Sequence, residues 1–269
     1  MNRILQALLL LATSTAALAA SIETQTLGVR EGVAEQMSPS KLHERYKGFA
    51  EFITRTMGKP TLVDASQEAK LILANMKSGK YAVMFVRPVG LAGRAIRENN
   101  FTLVAQATDE LYAAVIVPKD SPLKRIEDLV GKRVTMPEQS AFITKVGLAA
   151  LRDAGVDPSK ININYTRFQD SAAYTVDAKL ADAAIVSSVI AKQWEKKGHR
   201  VLYRSKHVPS WAVIASNKVT AGEVTKLRQA LFTLDGTDQG RKVLQQIGVS
   251  GFKQGDPEEY LAMLKWIRV

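Results

Sequence analysis

Four side chains suited to anion chemistry stand just past an apolar run that reads as a strand. Arg30 follows Thr26–Val29, Arg87 follows Tyr81–Val86 and Ser187 follows Asp182–Val186. Ser140 lies in the polar loop Glu138-Gln139-Ser140, beyond the run Arg133–Met136 that Pro137 ends. A guanidinium can clamp a carboxylate or phosphate through two parallel N–H donors. A serine that opens a helix offers its hydroxyl beside the unpaired N–H groups and positive dipole end of the first turn. In α/β sheets ligands sit outside the carboxyl ends of the strands. Arg30, Arg87, Ser140 and Ser187 are therefore the candidate ligand-binding residues. Tyr112 and Trp211 flank two expected crossovers and join them as candidate cleft-lining aromatics. Each has a plainer role open to it: a surface arginine, a helix cap for the serines, hinge packing for the aromatics.

Other chemistries find no support in the spacing. His43, His199 and His207 are scattered without metal-ligand intervals, and there is no cysteine. No phosphate-cradling Gly-Lys loop, Ser/His/Asp set or carboxylate pair is visible, and Gly28 and Gly32 make no dinucleotide fingerprint. Neither a cofactor nor enzymatic activity is expected.

The elements that must hold these residues alternate. Leu111–Val117 is an apolar, β-rich run closed by Pro118, and a short helix over Leu123–Leu129 is stopped by Gly131. Ser140 is expected to cap a helix that Gly155 ends, with Ile143, Val146 and Ala150 on one face. Earlier, Ser38 and Pro39 open a helix to about Met57 with Leu42, Tyr46, Phe49 and Ile53 on one stripe. Ser66 is expected to cap a helix through Met76. The order repeats about a hundred residues later: Ile161–Tyr165, Ser171–Leu180, Asp182–Val186 and Val201–Tyr203 follow the plan of Thr61–Val63, the Ser66 helix, Ala82–Val86 and Thr102–Ala105. Two similar α/β lobes in tandem follow, with mixed, mostly parallel sheets joined by two hinge crossovers. The boundaries expected are 1–20 for a signal peptide, 21–109 plus 215–269 for lobe I, and 110–214 for lobe II.

The address is written at the N-terminus. Arg3 supplies the positive region, Ile4–Leu11 the apolar core and Ala17-Leu18-Ala19 a small-residue cleavage site. The apolar run is too short for a stable membrane span, and no later segment is long or apolar enough. An exported chain with neither a lipid-anchoring cysteine nor disulfides points to the periplasm. The formal charge is +11 over 269 residues, spread along the chain rather than clustered. Aromatic residues are not interleaved with the basic ones as single-strand binders require. The charge favours small anions over nucleic acid.

Almost the whole mature chain resembles the phosphate, phosphite and phosphonate ABC-transporter binding proteins, two-lobed and closing like a flytrap. The resemblance is carried by Ser38–Phe49 ahead of Gly58-Lys59-Pro60, by Met76–Pro88, and by Val117-Pro-Lys-Asp-Ser-Pro122. Ile126–Val134, Ala181–Val186 and Val208-Pro-Ser-Trp211 continue it. It departs in three places: the anion loop Met136–Phe142 keeps one hydroxyl and adds Glu138, Arg87 replaces a common glycine, and Phe168-Gln-Asp-Ser171 lacks an expected histidine.

The resemblance implies a monomeric solute-binding protein of the periplasm that holds a small anionic ligand between its lobes, phosphate- or phosphonate-like or a carboxylate. Its partner would be an inner-membrane ABC permease or a membrane sensor. The alternative is the same fold serving as a periplasmic sensor or interaction module for a signalling partner, with no role in transport.

Overall fold

The computed structural model describes residues 23–32 and 36–269. The expected signal peptide, residues 1–20, lies outside them. The first lobe begins with β1 (Gln25–Arg30), α1 (Pro39–Met57), β2 (Thr61–Ser66), α2 (Ala69–Lys77), β3 (Val83–Val86), α3 (Gly90–Asn99) and β4 (Thr102–Ala107). The chain crosses through β5 (Glu110–Leu111). The second lobe follows as β6 (Ala113–Val117), β7 (Arg133–Pro137), α4 (Phe142–Asp153), β8 (Asn162–Thr166), α5 (Gln169–Asp177), β9 (Ala183–Ser187), α6 (Ser188–Lys196) and β10 (Arg200–Arg204). The return runs through β11 (Val208–Pro209) into β12 (Ala212–Ala215), α7 (Ala221–Phe232), α8 (Asp238–Ile247), β13 (Phe252–Lys253) and α9 (Pro257–Trp266).

The two sheets share one plan. The first has the order β13-β4-β12-β3-β1-β2 and the second β10-β6-β9-β7-β8. In each, a central strand pairs in parallel with two neighbours, β1 with β2 and β3, β7 with β8 and β9. In each, the next strand is the one that has just crossed between lobes, β12 or β6, and it pairs antiparallel. Antiparallel pairing is thus more extensive than the mostly parallel pattern expected, because a crossover strand enters its sheet from the opposite direction. β5 and β11 pair antiparallel as a two-stranded ribbon at the crossing. Since β12 lies in the first sheet, residues 212–214, assigned in advance to lobe II, belong structurally with lobe I.

Local chemistry explains the positioning elements. Ser38 accepts from the Lys41 N–H, Pro39 fills the first helical turn, and Gly58 at φ 73° ends α1 with its N–H on the Thr54 carbonyl. The buried stripe Leu42, Tyr46, Phe49 and Ile53 lays α1 on the first sheet. There Phe85 of β3 stacks on Trp211 at 4.2 Å between ring centroids, and Tyr46 and Phe49 close the cluster. Burial of one such aromatic contributes about 1.5–3 kcal/mol.

Three expected helix starts move. Leu123–Leu129 shortens to a single 3-10 turn at Ile126–Leu129. β2 extends through Ser66, so Glu68 precedes α2, and the Ser66 hydroxyl instead accepts from the Glu68 N–H at 2.9 Å. At α4 the cap is Ala141, not Ser140: the Ala141 N–H turns back to the Glu138 carbonyl at 2.8 Å, which carries Ser140 out of the capping position.

Candidate functional site

A cavity of about 770 Å³ opens between the lobes. Its first-lobe wall is formed where β1, β2 and β3 end, with Arg30, Ser66, Gln67 and Arg87. Its second-lobe wall is formed by the starts of three helices: Ala141, Phe142 and Ile143 at α4, Phe168 and Gln169 at α5, Ser187 and Val189 at α6. In none of these three helices does the N-cap residue's own side chain make a cap bond, although the Ser171 N–H of α5 is taken by Asp170 Oδ1 at 2.7 Å. First-turn N–H groups aimed at a cavity from several helices suit an oxyanion.

Arg30 is 8 % exposed, and its Nη1 is buried with no hydrogen-bond partner among the described residues. Burial draws its guanidinium below the ordinary arginine value; Glu31 opposes that shift and Arg87 adds to it. Arg87 is differently placed. Its Nη2 donates to Glu31 Oε1 at 2.5 Å, its guanidinium covers the Trp211 ring at 4.6 Å, and its backbone N–H is tied to the Arg30 carbonyl at 2.8 Å. Glu31 is sealed, with a side chain 0 % exposed. It accepts from the Tyr46 hydroxyl and from the Gly32 N–H at 3.0 Å, and Arg45 stands 3.8 Å away. Burial first and the Glu31 charge second push the Tyr46 hydroxyl well above its ordinary value, so it is a donor at every physiological pH.

Of the six residues singled out from sequence, Arg30, Arg87, Ser140 and Ser187 line this cavity together. Ser140 sits at the exposed rim with its hydroxyl 3.5 Å from Glu138. The Ser187 N–H is already taken by Gln169 Oε1 at 2.6 Å. Trp211 is a buried support beneath Arg87, outside the cavity lining. Tyr112 is buried behind the ribbon, stacked on His207 at 5.4 Å, while its neighbour Leu111 lines the cavity. Successive residues of an extended chain face opposite ways, and Leu111 has the cleft side.

Sequence reasoning missed Glu31, Gln67, Phe142, Arg167 and Gln169. Arg167 was recoverable, since it stands just past the end of β8 as Arg30 stands at the end of β1. Glu31 carried no local sign: it read as the middle of an Arg-Glu-Gly turn. Among the described residues no group of three His, Asp or Glu side chains could hold a metal ion, and no helix is long and apolar enough to cross a membrane.

A family model described as ABC transporter, phosphonate, periplasmic substrate-binding protein matches residues 32–260. The chain belongs to this family. Family and structural neighbours are substrate-binding proteins rather than enzymes, and the family is a periplasmic one whose partners are ABC transporters. This family member is similar to XAC2383 from Xanthomonas citri, solved bound to chloride ion (TM-score 0.76, 15 % identity, 91 % of this chain and 98 % of that one). It is similar to PhnD1 from Prochlorococcus marinus in complex with methylphosphonate (TM-score 0.73, 14 % identity, 91 % and 97 % covered). It also resembles the aliphatic sulphonate binding protein SsuA from Escherichia coli (TM-score 0.63, 14 % identity, 91 % and 86 % covered). At these identities the likeness shows the shared two-lobed fold. No curated protein matches the chain.

Proposed function

We propose that the protein captures a small anion in the cleft between its lobes and hands it to an ABC permease of the inner membrane. The observation that carries this reading is Arg30: a guanidinium buried at the cleft with Nη1 unmatched. A buried cation is costly unless a counter-charge meets it, and Glu31, the buried carboxylate beside Arg30 among the described residues, is already engaged by Arg87. An anion held between Arg30 and the helix starts of α4, α5 and α6 would satisfy both walls at once. It would thereby favour the closed arrangement by its differential affinity. The β5–β11 ribbon is the natural hinge.

The test is calorimetric titration of the mature protein with phosphate, methylphosphonate, alkanesulfonates and short carboxylates, beside Arg30→Met. Wild type should bind at least one of them, and a ligand at a hundred times its dissociation constant should raise stability by about 2.7 kcal/mol. Arg30→Met should weaken that ligand by roughly 2–5 kcal/mol. Binding that survives the substitution undiminished removes Arg30 from the site; no binding across the panel removes the proposal.

A further inference from the structure

The apolar side chains of the cleft bear on the body of the anion, an inference that rests on the anion-capture reading above. The cationic wall is the buried part of the cavity, where Arg30 is 8 % exposed. The exposed part carries apolar side chains from both lobes. Leu71, in the first turn of α2, is 46 % exposed, and Val189, in the first turn of α6, is 45 % exposed. They line one cavity from opposite lobes, and Phe168, half-buried before α5, lines it with them. A lone exposed apolar residue is ordinary. Two on opposite walls of one ligand-sized cavity can be covered together by an apolar group placed between them. The charged groups of this exposed part, Glu68, Glu138 and Arg167, are solvated, so water satisfies them while Leu71 and Val189 gain only from being covered. The volume has room for more than a head group. At about 30 Å³ for each water-sized group, methylphosphonate displaces on the order of 150 Å³, against a cavity of about 770 Å³. Closure brings the walls together without changing the side chains they carry.

We propose that the cleft selects organic anions with a sizeable apolar body: an oxyanion head at Arg30, and a hydrocarbon or aromatic body of about six or more carbons covered by Leu71, Phe168 and Val189. Leu71 and Val189 are specificity-determining residues. Inorganic oxyanions and one-carbon phosphonates are poor ligands, because they meet the cationic wall and leave the apolar side chains of both lobes in water.

The experiment is titration calorimetry of the mature protein with two homologous series, the methyl-, propyl- and hexylphosphonates and the methane-, propane- and hexanesulfonates. In the series whose head group binds, affinity for wild type should rise about two- to fourfold with each added methylene, fourfold corresponding to complete burial. The paired substitution Leu71→Asn with Val189→Asn should flatten that rise, and Leu71→Met, which keeps an apolar side chain of similar size, should preserve it. Both positions are exposed, so the variants are expected to fold. Affinity that is level or falls from the methyl to the hexyl member overturns the inference and leaves anion capture standing. A rise that is just as steep in the doubly substituted protein overturns the assignment to Leu71 and Val189. Failure of every member of both series to bind overturns the inference and the capture reading together.

Discussion

Arg87 donates to Glu31 at 2.5 Å although the two are 56 positions apart in the chain. β1 and β3 are adjacent parallel strands, with Arg30 opposite Val86, so the residues that follow them emerge side by side at the cleft. The contact divides the work of the two cleft arginines. Arg87 is held and neutralised; Arg30 keeps a nitrogen for something else.

Trp211 should matter to the site from below. It is buried, stacked on Phe85 at 4.2 Å and covered by Arg87 at 4.6 Å. Trp211→Ala is expected to cost about 3–5 kcal/mol of stability in denaturant unfolding. Trp211→Phe keeps a ring under the guanidinium and should lose less. A melting temperature equal to wild type in Trp211→Ala would mean that the ring does not support this core.

Gly32 gives Arg87 its room. A Cβ there would stand 3.0 Å from Arg87 Nε. Gly32→Ala should push the guanidinium off its line to Glu31 and weaken anion binding severalfold, with a change in stability near 1 kcal/mol, the lower end for a forced close contact. Unchanged affinity in calorimetry would show that the position of Arg87 is not critical to capture.

The second lobe predicts an acid dependence. Arg133 forks onto Asp182 with Nη2 at 2.7 Å and Nε at 3.3 Å, and its backbone N–H adds a bond at 2.9 Å, tying β7 to the start of β9. The Arg133 side chain, above all, holds the Asp182 carboxyl below its ordinary value, with burial opposing. A carboxylate depressed on folding contributes stability that is complete above its unfolded value, near pH 4, and is lost as pH falls through the lower folded one. The pair is substantially solvated, so its share is within about 1 kcal/mol. Asp182→Asn should flatten that part of the stability curve below about pH 4 and lower the plateau above it. An identical acid limb in the variant would assign the loss to other carboxylates.

How much was legible depended on how local the cause was. α1 could be bounded closely because Ser38, Pro39 and Gly58 act within one turn of the helix they delimit. Ser66 and Ser140 have the same chemistry as Ser38, yet neither caps a helix. One is drawn into β2 by pairing with β1, and the other is displaced by a turn between Glu138 and Ala141. Arg30, Arg87, Ser140 and Ser187 were found by a strand-end rule that needs only the end of an apolar run. Tyr112 was chosen over Leu111 by residue type, whereas the side facing the cleft is set by the ribbon.

By itself the sequence determined the alternation of strands and helices, the repetition of that order and the residues standing at strand ends. Hydrophobic period, proline and glycine breaks act over a few neighbouring residues, and they survive in one dimension. Only the tertiary structure decided which charges meet. Whether Arg30 or Arg87 is left with an unmatched nitrogen depends on Glu31 folding inward beneath Tyr46, on β3 lying beside β1, and on Trp211 returning from the far lobe to support Arg87. Coulomb energy and desolvation are functions of distance and burial, and neither quantity exists until the chain has closed on itself.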